Sequence, residues 1–137
     1  MQIINISVTI SLTLNVNENF SPRYGNLDIN FNDKNFEEQC NNHKLLVQKQ
    51  GPRRAKKIRQ RLDELRAADS LYDMKFLGGR CHELKGDRSG ELSLDLDHPY
   101  RLIFLPGNNP TPLLPDGGLD WKHITSVLIF SIEDTHG

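Results

Sequence analysis

The sequence predicts an α+β domain, a helical hairpin packed on a small twisted antiparallel sheet. Three observations lead there. Two neighbouring stretches, divided by Gly51-Pro52, carry apolar residues at helical spacings. After Ser70 the periodicity changes to short alternating runs separated by turns rich in Gly, Pro, Asn and Asp. One alternating run precedes the helices, so the order is strand, helix, helix, then several strands.

The bulk properties suit one such domain. The chain has 137 residues, 36% of them hydrophobic and 26% charged, as in an ordinary soluble globular protein. Its two cysteines, Cys40 and Cys81, make no CxxC pair, so neither a disulfide framework nor a metal site is expected, and reduced thiols in the cytoplasm are the default. No apolar stretch approaches the roughly 20 residues that span a bilayer, so no membrane partner is expected. The N-terminus lacks a basic segment, and Asn, Ser and Thr interrupt its apolar residues, which argues against a secretion signal. The absence of an internal repeat excludes a solenoid or propeller.

The elements follow in order. Residues 1–26 form an extension in which Ile4, Ile6, Val8, Ile10, Leu12, Leu14 and Val16 alternate with mostly polar residues before a linker around Ser21-Pro22. This extension is either a poorly ordered appendage or an extra edge strand for partner contact. The compact domain is 27–137. Leu27, Ile29 and Phe31 alternate as a first core strand. Asn32-Asp33 caps a helix with Phe36, Cys40 and Val47 near one face, which runs to Gly51. Pro52 starts a second helix, whose inward stripe is Ala55, Ile58, Leu62 and Leu65. A short strand over 80–84, a turn over 86–90, strands around 92–96 and 100–104, a loop over 106–118 and a last strand over 124–132 complete the sheet.

Charge is unevenly distributed. Lys44, Lys49, Arg53, Arg54, Lys56, Lys57, Arg59 and Arg61 follow one another with no acid between Glu38 and Asp63. The acids collect elsewhere, at Asp87, Glu91, Asp95, Asp97, Asp116 and Asp120, and the net charge is −1. Such a run is commonly a solvated face, but one this one-sided suits a polyanion or an acidic partner. Arg53, Arg54, Lys56, Lys57 and Arg59, with Arg80 and Arg88 further on, are the expected RNA- or ribosome-binding residues. Arg101 stands in an otherwise apolar run, Leu102-Ile103-Phe104, where a charge needs a partner or a task.

Three motifs in order carry a resemblance: His82-Glu83-Leu84-Lys85-Gly86-Asp87-Arg88-Ser89-Gly90, then Tyr100-Arg101-Leu102-Ile103-Phe104, then Glu133-Asp134-Thr135-His136. On these, the chain from about residue 27 to 137 resembles the RelE/ParE superfamily of toxins, and within it the HigB-like host-inhibition (plasmid killer) group of type II toxin–antitoxin systems. The resemblance implies a RelE-like fold of the microbial RNase type and metal-independent cleavage of mRNA on the ribosome, with no cofactor. It also implies a helix-turn-helix, HigA-like antitoxin, with operator DNA bound only through the antitoxin complex. The family's catalytic positions fall on His82, Lys85, Arg101 and His136. An aromatic residue often precedes the last His in the family; this chain has Thr135.

The chemistry asks for these residue types. Cleavage through the 2′-hydroxyl needs a base, an acid for the 5′-oxygen, and cations for the phosphorane charge. Histidine titrates near neutrality, and lysine and arginine supply charge. Lys85 and Arg101 are therefore assigned to phosphate, His82 and His136 to proton transfer in an order left open, and Asp134 to orienting His136. Two rival classes stand beside this reading: a ParE-like gyrase-inhibiting toxin, and a catalytically inactive antitoxin-tethering or nucleic-acid-binding module.

Overall fold

The computed structural model describes residues 27–134, so the 1–26 extension and His136 lie outside the described residues. The first strand, β1 (Asp28–Phe31), leads into α1 (Lys34–Cys40). The Asp33 carboxylate caps α1 by accepting from the Asn35 amide at 2.8 Å. The predicted first helix is in fact two. Asn41 and Asn42 interrupt it, and α2 (His43–Gln50) begins afresh with the Asn42 side chain accepting from the Leu45 amide. Asparagine is more useful at a helix start than inside one, because its short side chain competes for backbone donors. The apolar stripe survives the break, with Phe36 and Cys40 buried on α1 and Leu46 on α2.

Gly51 closes α2 at φ +83°, a left-handed conformation that favours glycine, and Pro52 opens α3 (Pro52–Ala67). Ala55, Ile58, Leu62 and Leu65 are buried along α3, as the spacing predicts, and Arg61 is buried with them. A 3-10 helix over Leu71–Phe76, not anticipated from the sequence, then places Leu71 and Met74 in the core.

The remaining strands are β2 (His82–Glu83), β3 (Leu92–Asp95), β4 (Tyr100–Pro106) and β5 (Ser126–Asp134). They form one sheet in the order β1-β5-β4-β3-β2. The sheet is mixed, which corrects the antiparallel expectation. Pairs β2–β3, β3–β4 and β4–β5 are antiparallel, but β1 runs parallel to β5, with Asp28 opposite Ser126 and Phe31 opposite Ile129. Period-2 alternation reports faces and not direction, whereas parallel neighbours need a long crossover, supplied here by everything between β1 and β5. In the β4–β5 register Ile103 faces Ser131 while Phe104 faces Ile129, so Phe130 is the extra residue of a bulge.

Leu92, Leu94, Leu102, Phe104, Val127 and Ile129 bury one sheet face against the α3 stripe. The alternate residues of β3, β4 and β5 project from the opposite face. Gly79 makes the approach to β2 possible: a Cβ there would lie 2.8 Å from Leu94 and 3.0 Å from the Arg61 guanidinium.

Candidate functional site

Strand register assembles the site on the face turned away from the helices. Asp95, Arg101 and Glu133 lie side by side across β3, β4 and β5, and His82 lies beside Ser93 one pleat along. Arg101, with a side chain only 14% exposed, reaches the Asp95 carboxylate at 3.2 Å. The same carboxylate accepts two hydrogen bonds from Arg80, at 2.8 and 3.3 Å. Arg80 itself has φ +49°, uncommon for a residue with a side chain, at the point where the chain turns into β2.

A second cluster adjoins the first. Arg88 donates to Glu133 at 2.7 and 3.0 Å and to Glu91 at 2.6 and 2.9 Å. Hydrogen bonding to Glu133, then to Glu91, holds the Arg88 guanidinium above its ordinary pKa, and Arg88 in turn holds the Glu133 carboxyl below the usual carboxylate range. Ser131 Oγ also donates to Glu133 at 2.8 Å. These charged groups wall a cavity of about 240 Å³ whose floor is Ile103, Leu105 and Phe130.

His82 is half-buried, and its Nδ1 lies 2.7 Å from the Arg80 carbonyl oxygen. A carbonyl only accepts, so Nδ1 carries hydrogen and the neutral ring keeps its lone pair at Nε2. Lys85 is exposed just before the 3-10 turn Gly86–Arg88 and makes no ion pair with another described residue. Asp134 ends β5 opposite Tyr100.

The structure thus places His82 and Arg101 on one sheet face, with Arg80 joined to Arg101 through Asp95 and Arg88 bound to Glu133 on the next strand. What sequence reasoning left out is the set of carboxylates that holds the arginines: Glu91, Asp95 and Glu133. The alternation Glu91-Leu92-Ser93-Leu94-Asp95 signals charges on one face, but only the register shows which arginines they meet. Arg80 and Arg88, expected as RNA-binding residues, are paired with carboxylates: Arg80, just before β2, with Asp95, and Arg88, in the turn after β2, with Glu91 and Glu133.

The basic helix also divides. Arg54, unlike its neighbours on α3, is turned inward, pairing with Asp97 at 3.0 Å and stacking 3.7 Å from the Tyr100 ring centroid. Its position on α3 lies beside the buried stripe, where a lone cation would be costly without a carboxylate. Arg53 and Lys56 are exposed, and with Lys57 and Gln60 they occupy the outward side of α3. Arg59 lies on the flank towards α1, close enough to act electrostatically on Cys40. Among the described residues no group of three or more His, Cys, Asp or Glu is arranged to hold a metal ion, and no helix is long and apolar enough to cross a membrane.

No protein-family model matches the chain, and no curated protein matches it. Solved structures that it resembles include toxins of the YoeB and YoeB/ParE type. It is similar to the YoeB–YefM complex from Staphylococcus aureus, at 21% identity and a TM-score of 0.46, over 80% of this chain and 97% of that one. The YoeB dimer from the same organism gives 21% identity and a TM-score of 0.45 over 80% and 97% of the two chains. A YoeB/ParE toxin from Agrobacterium tumefaciens gives 13% identity and a TM-score of 0.47 over 78% and 96%.

Proposed function

We propose that the chain is the toxin of a toxin–antitoxin pair, a metal-independent endoribonuclease that cuts mRNA on the ribosome and so inhibits translation in the cytoplasm. The observation that carries this reading is that strand register puts His82 and Arg101 on the same sheet face, the one turned away from the helices, with His82 Nε2 left as a proton acceptor. In this scheme His82 Nε2 takes the 2′-hydroxyl proton as the 2′-oxygen attacks phosphorus. The P–O5′ bond breaks, His136 delivers a proton to the 5′-oxygen, and a 2′,3′-cyclic phosphate is left. Arg101 and Lys85 stabilise the phosphorane charge, and Asp95 is a positioning residue that holds Arg101. Asp134, two residues before His136, is the candidate to orient that ring.

The proposed partners are a helix-turn-helix antitoxin of the HigA-like kind, the mRNA-loaded ribosome, and operator DNA only through the antitoxin complex. Inducing the chain without an antitoxin should arrest growth and cut mRNAs only while they are translated. Cleavage-site mapping after induction decides. Arrest with intact mRNA and damaged DNA topology would favour a ParE-like gyrase inhibitor. Normal growth at verified expression would leave a catalytically inactive binding module.

A further inference from the structure

A second surface lies away from the carboxylate–arginine network, where the 3-10 helix Leu71–Phe76 packs on another, Trp121–His123. Tyr72, Trp121, Leu114 and Leu119 line a cleft of about 280 Å³ there, with Lys75 and Lys122 at its walls. Both lysines lie over aromatic faces. Lys75 Nζ is 4.5 Å from the Trp121 ring centroid and 5.6 Å from that of Tyr72, and Lys122 Nζ is 4.9 Å from that of Tyr72. Phe76 stacks edge-on against Tyr72 at 5.3 Å and is 71% exposed, the most open large apolar side chain among the described residues.

Two nearby acids have hydrogen-bond partners of their own. Asp73 accepts from the Asp69 amide at 2.9 Å, and Asp120, which also lines the cleft, lies 2.8 Å from His123 Nδ1. Neither lysine has a carboxylate partner among the described residues. The cleft therefore offers two flat rings, a third at its rim, and two exposed cations that lie over ring faces with no carboxylate in salt-bridge contact, Asp120 being the one acid on its lining. A ligand that brings flat π-systems and a regular negative charge satisfies both features at once. Single-stranded nucleic acid has that chemistry: bases stack on aromatic side chains while lysines follow the phosphates. An exposed cation–π contact is weaker than a base–aromatic stack, so a base can displace an ammonium from its ring onto the adjoining phosphate.

We propose that the Tyr72–Trp121 cleft binds a single-stranded polynucleotide by base stacking and phosphate contact. This does not depend on whether the sheet face cleaves RNA. An acidic peptide is the other class that could meet two lysines, but nothing in it requires the ring faces.

Trp121 is the only tryptophan of the chain, so its emission reports on the cleft alone. The experiment titrates the full chain with 12-mer oligouridylate and 12-mer oligothymidylate, using intrinsic fluorescence and anisotropy of labelled oligomers. Quenching by both, outcompeting an equal concentration of duplex, is the expected result. The exposed double substitution Lys75→Glu with Lys122→Glu should weaken binding at least tenfold and reduce the salt slope by about 1.4, roughly 0.7 for each phosphate contact on a single strand. Lys34→Glu, an exposed change at the start of α1, should leave the Trp121 quench unchanged. The proposal is overturned if oligomers bind without quenching Trp121, if the Lys75/Lys122 variant keeps wild-type affinity and slope, or if polyglutamate quenches as strongly as the oligomers.

Discussion

Arg101 combines an 14%-exposed side chain with a carboxylate on each neighbouring strand, Asp95 and Glu133. In the proposed reaction its charge matters most when the phosphorane forms, so Arg101→Ala should abolish cleavage of ribosome-bound mRNA in single-turnover assays. His82→Ala and His136→Ala should each slow it by about 10²–10⁴-fold, the usual contribution of a positioned proton carrier. A wild-type rate for His136→Ala would leave proton transfer to His82 alone. Glu133 gives a separate test. Its carboxyl is held low chiefly by the hydrogen bond from Arg88, so this pair stabilises the fold above the unfolded carboxylate pKa and ceases to do so as pH falls through the lower folded value. Glu133→Gln should therefore flatten the acid limb of stability, measured by urea unfolding below about pH 5. An acid limb identical to wild type would show that the pair is too solvent-screened to matter.

Among the elements, α3 separates two kinds of arginine and lysine that look alike in sequence. Lys56→Glu with Lys57→Glu should weaken ribosome association and lower its salt slope by roughly 0.9 per lost contact, with little change in thermal stability. Arg54→Ala should do the reverse. It leaves Asp97, whose side chain is 13% exposed, without its cation, and should cost about 1–3 kcal/mol in denaturant melts with the salt slope preserved. Should Arg54→Ala change the slope and not the stability, its inward pairing would not persist in solution. The break between α1 and α2 belongs to the same scale. Helical periodicity alone carries 33–50 through as one element, and the competing preference of Asn42 for a cap decides otherwise.

For the whole molecule, one face of the sheet holds the core and the other holds the charges. Phe104 is fully buried on the central part of that core, so Phe104→Ala should cost about 3–5 kcal/mol and shift a single cooperative unfolding transition. A loss under about 1 kcal/mol would mean that the helices do not close over β4. Burial pushes both thiols, Cys40 and Cys81, up to about 12, so the native protein should alkylate slowly at pH 8 and promptly in denaturant. Because both thiols sit in the same core, their labelling should track global unfolding. Fast labelling of one alone would reveal a local opening.

Sequence by itself determined the things that depend on near neighbours. The α3 stripe, the Gly51-Pro52 junction, the alternating strands and the clustering of basic residues on α3 all follow from spacing and from the backbone preferences of a few residue types. It also singled out Arg101, because a charge inside an apolar strand has to be paired or used. Tertiary structure decided everything that depends on which strand lies beside which. The parallel β1–β5 pair, the bulge at Phe130 and the meeting of Arg80 and Arg101 at Asp95 involve residues far apart in the chain. Alternation gives each strand two faces and no neighbour. The neighbour comes from closing the core, and only then does a carboxylate such as Glu133 find the arginine that holds it.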